Sequence, residues 1–207
     1  MKRIHEKRII PAATVENADD AIRMAEALLA GGLDIIEITF RTDAALEAIQ
    51  SVIRRFPDML VGAGTVLTAD QLNRSIEAGI KFAVAPGFNP DLVSMASRQG
   101  VQFIPGVATA TEIDRAISED CLLLKFFPAE SLGGVKTLKA LAAPFGQTGV
   151  KFVPTGGINA SNARDYLALP VVAAVGGSWM VAAELINQKN WGEITRLARE
   201  AVELARK

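Results

Sequence analysis

The sequence predicts an α/β protein of one domain, a (β/α)8 TIM barrel over residues 1–207. Three observations predict it. Short apolar segments alternate with amphipathic helical patterns from end to end, and such repetition implies a parallel sheet. The alternation yields eight strand–helix units in a chain of 207 residues, the small end of the range for a closed barrel. Glycine-rich pieces follow the strands, which gathers them on the C-terminal rim where barrel enzymes hold their sites. An open doubly wound sheet is the alternative that the same alternation allows.

Each element follows from its pattern. The first strand is expected over residues 8–15, and an amphipathic helix over 18–30 stops at Gly31-Gly32. A strand over 34–40 leads into a helix over 44–56, and a strand over 60–64 into a helix over 69–78. Further strands are expected over 81–85, 101–104, 121–127, 150–154 and 171–175, each with a helical pattern behind it, the last over 191–206. The rim pieces are Gly62-Ala63-Gly64-Thr65, Ala85-Pro86-Gly87, Pro105-Gly106, Pro154-Thr155-Gly156-Gly157-Ile158 and Gly176-Gly177-Ser178-Trp179. No Pro/Gly/Ser-rich linker interrupts the series, so no domain boundary is placed.

Composition narrows the chemistry. Half of the residues are hydrophobic and 22% are charged, which suits a globular protein with a large core. The formal net charge is -1 and no long basic tract occurs, so no nucleic-acid partner is expected. No apolar run approaches the roughly 18 residues of a membrane helix. The basic start is soon followed by Glu16, Asp19 and Asp20, so a secretory leader is not expected either. With a single cysteine, Cys121, and a single histidine, His5, an internal disulfide and a Cys/His zinc cluster are excluded. A reducing compartment is the natural setting. Chemistry therefore falls to Lys, Glu, Asp, Arg, Thr or Ser.

Two charges stand where a strand should be apolar. Lys125 follows Cys121-Leu122-Leu123-Leu124 and precedes Phe126-Phe127-Pro128, near the top of its strand. A lysine walled by apolar side chains loses hydration, which disfavours its ammonium form. A neutral amine attacks a ketone to form an imine. The alternative is a lysine snorkelling from a strand end or held in a structural ion pair. Lys81 and Lys151 differ, since they open their strands and so face water at the barrel floor. Glu37 lies in Ile35-Ile36-Glu37-Ile38-Thr39-Phe40-Arg41, where alternation puts Ile35, Glu37, Thr39 and Arg41 on one face. On an inward face the carboxylate acts as general acid and base, and Arg41 is placed to grip a substrate carboxylate. The competing reading is a structural pair of Glu37 with Arg41 or Lys125, a weak device for stability. An acid and a lysine converging without metal ligands suggest imine chemistry. The glycine pairs that follow the last two strands, with Thr155 and Ser178 hydroxyls beside them, suit a phosphate.

These residues also resemble a known family. Gly31-Gly32-Leu33, Glu37-Ile38-Thr39-Phe40-Arg41-Thr42, Gly62-Ala63-Gly64-Thr65-Val66-Leu67 and Ile104-Pro105-Gly106-Val107 occur in that order. Lys125-Phe126-Phe127-Pro128-Ala129-Glu130, Pro154-Thr155-Gly156-Gly157-Ile158 and Gly176-Gly177-Ser178-Trp179 complete the match, nearly end to end. The chain resembles the bacterial aldolases acting on 2-keto-3-deoxy-6-phosphogluconate (KDPG) and 4-hydroxy-2-oxoglutarate (KHG). The resemblance implies a Schiff base on Lys125, acid/base work by Glu37, and no metal or other cofactor. It implies that Arg41, Thr65 and Pro86 bind the carboxylate end and that Phe127 packs beside the imine. Thr155, Gly156, Gly157, Gly177 and Ser178 would take the phosphate end. A cytoplasmic homotrimer, and cleavage of KDPG to pyruvate and glyceraldehyde 3-phosphate or of KHG to pyruvate and glyoxylate, are the further expectations. Aldol cleavage of the galactonate-derived epimer is an alternative, as is a phosphate-ligand-binding barrel without turnover. Two departures from the family pattern lie near the expected pocket rim: Ala12-Ala13-Thr14 where bulky aliphatics are usual, and Ala85 where serine is common.

Overall fold

A computed structural model describes residues 2–206. In chain order its elements are α1 (Lys2–Lys7), β1 (Ile9–Ala13), α2 (Ala18–Ala30), β2 (Ile35–Thr39), α3 (Ala45–Arg55), β3 (Leu60–Gly64) and α4 (Ala69–Glu77). There follow β4 (Phe82–Val84), α5 (Pro90–Arg98), β5 (Gln102–Ile104), β6 (Gly106–Val107), α6 (Ala110–Ser118), β7 (Leu123–Phe126) and α7 (Gly134–Ala142). The chain ends with β8 (Lys151–Pro154), α8 (Ala163–Leu167), β9 (Val175–Gly177), α9 (Ala183–Asn187) and α10 (Trp191–Arg206). Helix starts are set by side-chain caps. Asn17 accepts from the Asp20 N–H at 2.8 Å, while Thr68/Gln71 and Thr109/Glu112 form reciprocal capping boxes. Asn89 caps α5, whose first residue is Pro90, a position where the missing N–H costs nothing.

The fold is α/β, and every strand pairing is parallel. The ladders form a six-stranded sheet, β5-β4-β3-β2-β1-β9, and a three-stranded sheet, β6-β7-β8, rather than one unbroken ring of eight. Two expectations shift for identifiable reasons. The strand expected over 101–104 is followed by a second piece, β6, because Pro105 has no N–H to continue a ladder. The strand expected over 171–175 forms its ladder later, at Val175–Gly177, where Ile9, Ile10 and Pro11 pair with Val175, Gly176 and Gly177. The apolar run before it contributes only an isolated bridge, Phe152 with Val172. Helix α1 was not anticipated from the sequence. It is short, but it carries Ile4, which is fully buried.

Side-chain alternation separates two apolar regions. The larger cluster lies between helices and sheets and includes Met24, Leu28, Ile36, Ile38, Ile49, Val61, Leu124, Phe126, Phe152 and Val175. The smaller cluster comes from the opposite strand faces: Ile10, Ile35, Phe82, Val84, Ile104, Leu123 and Val153, with Ile4 of α1 among them. Lys81 and Lys151 stand at the strand starts as expected, Lys81 exposed and Lys151 donating to the Pro170 carbonyl at 3.0 Å.

Candidate active site

Two residues beyond several members of the small apolar cluster, the same strand face opens into a cavity. Ile10 is followed on its face by Ala12 and Thr14, Ile35 by Glu37 and Thr39, Leu123 by Lys125 and Phe127, and Val153 by Thr155 and Gly157. All eight of these followers line a cavity of about 320 Å³. The period of a β-strand thus converts an apolar floor into a polar chamber within one step.

Lys125 and Glu37 meet at the centre. The Lys125 Nζ lies 3.5 Å from Glu37 Oε1, with side chains 7% and 3% exposed. Glu37 Oε1 has no hydrogen-bond partner among the described residues. Its partner charge is the Lys125 Nζ, and a buried pair of this kind adds little stability, because desolvation offsets most of the attraction. The Lys125 ammonium also stands 5.2 Å from the centroid of the Phe127 ring, within cation–π range.

Neighbouring strands make the room. Glu37 pairs in register with Ala12 on one side and Gly62 on the other, and Thr39 pairs with Gly64. A Cβ on Gly64 would fall 2.2 Å from Glu37 Oε1, so the glycine is what lets the carboxylate lie across β3. Thr65, next in sequence, has φ +56°, a left-handed conformation that a β-branched residue rarely adopts, and it lines the cavity. Lys125 pairs with Gly106 and Val153, and its N–H donates to the Pro105 carbonyl at 2.8 Å.

The glycine-rich rim closes the other end. Gly156 and Gly157 have φ +99° and +79°, which glycine alone adopts freely. A Cβ on Gly176 would lie 2.4 Å from Thr155 Oγ1, so that strand pair approaches only because the position is glycine. The loop after Lys125 is tied to this rim. The Ala129 N–H donates to the Thr155 carbonyl at 2.8 Å and the Glu130 N–H to the Gly156 carbonyl at 3.0 Å. Behind them, the fully buried Tyr166 donates its hydroxyl to Glu130 Oε1. Burial, then that carboxylate, pushes the Tyr166 phenol well above its usual range.

Ten of the eleven residues singled out from sequence line this one cavity: Glu37, Arg41, Thr65, Lys125, Phe127, Thr155, Gly156, Gly157, Gly177 and Ser178. Pro86 does not. It sits outside the lining, its carbonyl packed where a Cβ on Gly106 would lie 2.0 Å away. The lining adds Ala12, Thr14, Thr39, Ile158, Val181 and Ala183. Thr39 shares the Glu37 face and Thr14 follows Ile10 at period two, so both carried a signal. Val181 ends a single 3-10 turn and Ala183 opens α9 just beyond it, and neither carried one. Among the described residues no group of three or more His, Cys, Asp or Glu is placed to hold a metal ion, and no helix is long and apolar enough to cross a membrane.

Comparison with known proteins places this chain among aldolases. The family model described as KDPG and KHG aldolase matches residues 1–197. The 2-dehydro-3-deoxy-phosphogluconate aldolase of Treponema pallidum is 46% identical over 95% of this chain and 93% of its own. The KHG/KDPG aldolase of Escherichia coli is 44% identical over 96% and 92%. The structure of KDPG aldolase from Legionella pneumophila, with pyruvate captured as a covalent carbinolamine intermediate, superposes with a TM-score of 0.92. That protein is 42% identical, and the match covers 96% of each chain.

Proposed function

We propose that this chain, which belongs to the KDPG and KHG aldolase family, cleaves KDPG to pyruvate and glyceraldehyde 3-phosphate through a Schiff base on Lys125. KHG, giving pyruvate and glyoxylate, is the second substrate of the same site. The observation that carries the reading is the buried Lys125–Glu37 pair, 3.5 Å apart, opening into the cavity.

Glu37 takes a proton from the Lys125 ammonium, and the amine so freed adds to the C2 ketone of the substrate to give a carbinolamine. Glu37 returns that proton to the carbinolamine hydroxyl, which leaves as water and gives a protonated imine, an electron sink. Glu37 takes the proton of the C4 hydroxyl as the C3–C4 bond breaks. The bonding electrons pass into the imine, leaving an enamine on Lys125 and releasing the aldehyde. Glu37 returns its proton to C3, and water hydrolyses the resulting pyruvyl imine. The otherwise unpartnered Oε1 of Glu37 is the acceptor that this sequence needs. Arg41 and Thr65 bind the substrate carboxylate, with Pro86 supporting that end from outside the lining. Phe127 packs beside the imine. Thr155, Gly156, Gly157, Gly177 and Ser178 receive the phosphate through backbone N–H groups and hydroxyls.

In the same reading the two sheets are halves of one closed (β/α)8 barrel forming a single domain over residues 1–207. Two features support closure: only Pro105 separates β5 from β6, and bridges of Phe152 with Val172 and Thr155 with Gly176 link the far edges. The enzyme works without metal or cofactor, in the cytoplasm, as a homotrimer.

Borohydride reduction in the presence of pyruvate tests the central claim. It adds one reduced pyruvyl group, seen by intact mass and mapped to Lys125, and Lys125→Ala abolishes both adduct and cleavage. Absence of the adduct, or full activity in that variant, overturns the imine mechanism. Rates on the galactonate epimer equal to or above those on KDPG reassign the substrate.

A further inference from the structure

The wall of the cavity contributed by β1 is unusual in its hydrogen-bonding sense. Thr39 Oγ1 donates to the Ala13 carbonyl at 3.0 Å, which commits its only proton. It also lies 2.8 Å from Thr14 Oγ1. With the Thr39 proton spent, Thr14 must be the donor of that second bond. A hydroxyl has one proton and two lone pairs, so Thr14 retains acceptor capacity only. Both threonines line the cavity.

The topology says which part of a substrate this acceptor meets. Strand β1 lies between β9 and β2. Strand β2 carries Glu37, where the carbon–carbon bond is broken in the proposed reading, and β9 leads into Gly177-Ser178, the anion end. The end of β1 therefore faces the stretch of substrate between the scissile bond and the distal anion. In KDPG that position is C5, which bears a hydroxyl. In KHG it is a carboxylate, which at neutral pH has no proton to give.

We infer that Thr14 is a specificity-determining residue whose Oγ1 accepts a hydrogen bond from the C5 hydroxyl of KDPG and discriminates against the C5 carboxylate of KHG. The inference rests on the aldolase reading above and deepens it. One neutral hydrogen bond corresponds to a rate ratio of about two- to thirteenfold.

The test compares wild-type protein with Thr14→Val, which keeps the shape and removes the lone pairs, and Thr14→Ser, which keeps the hydroxyl. In Thr14→Val, kcat/KM on KDPG falls about two- to thirteenfold, while that on KHG holds or rises. Thr14→Ser stays near wild type on both. Borohydride trapping of pyruvate is unaffected in either variant, since pyruvate lacks C5. An unchanged KDPG rate in Thr14→Val, or an equal fall on both substrates, overturns the inference. A second measurement needs no variant. In the synthetic direction, wild-type protein prefers glyceraldehyde 3-phosphate to its analogue lacking the 2-hydroxyl by a similar factor, and equal rates overturn the assignment. If wild-type protein neither cleaves KDPG nor traps pyruvate, the aldolase reading itself fails; if it does both and Thr14 proves indifferent, only this inference fails.

Discussion

Replacing Gly64 by alanine adds one methyl group at the place where the Glu37 side chain crosses β3. The ideal Cβ falls 2.2 Å from Glu37 Oε1, 2.5 Å from Cγ and 2.7 Å from Cδ. Ordinary contact begins near 3.5 Å, so the carboxylate must retreat by roughly 1 Å. Gly64 is not among the glycines with positive φ, so alanine does not strain the backbone there and the effect falls on Glu37. Misplacement of a catalytic group by about 1 Å costs on the order of a hundredfold in rate, or about 2.7 kcal/mol of barrier. The assay is pyruvate release from KDPG, with circular dichroism to verify the fold. The expected result is kcat lowered about a hundredfold in a folded protein. A folded Gly64→Ala with wild-type kcat would refute the reasoning, since it would mean that Glu37 need not lie where the structure holds it.

Glu37→Gln keeps the shape of the side chain but cannot accept and return a proton near neutral pH; kcat on KDPG should fall about 10²- to 10⁴-fold, and retention of more than a tenth of the activity would count against the acid/base role. Ile4→Ala removes a fully buried side chain from the small apolar cluster and should cost about 2–5 kcal/mol in urea unfolding, with no loss meaning that α1 does not seal the floor. Burial, then Glu119 and Asp120, raises the Cys121 thiol from 9.0 to about 11. The unfolded chain therefore loses this proton first, so the stabilising contribution is full below pH 9 and disappears as pH rises to about 11. Urea midpoints of wild type and Cys121→Ala should converge over that interval, and parallel curves would contradict it.

The sequence exposed the central charged pair because a charge in an apolar strand breaks a pattern that burial otherwise enforces. Lys125 and Glu37 were visible for that reason, and the glycine rim for the complementary one, that its backbone conformations tolerate little else. What escaped was set by partners remote in sequence. The last ladder runs through Gly176 and Gly177, which carry no hydrophobic signal, because Thr155 leaves no room for a side chain at the first and Trp179 none at the second. The strand expected over 101–104 does end at Pro105, and what escaped was the short ladder that resumes at Gly106–Val107. Thr14 stood out as a departure from the family pattern near the rim; its acceptor character depends on how Thr39 uses its own proton, which only the fold decides. Pro86 was a plausible neighbour by motif, yet its carbonyl is taken up against Gly106.

The two backbone bonds from Ala129 and Glu130 to Thr155 and Gly156 make the loop behind the lysine and the anion rim one mechanical body. In the proposed reading, a phosphate that settles on the rim thereby also steadies the aromatic wall beside the amine. Affinity at one end of the substrate is transmitted as order at the other. A substrate shorn of its phosphate then loses turnover as well as grip, because part of its binding energy was spent on holding the reacting end still.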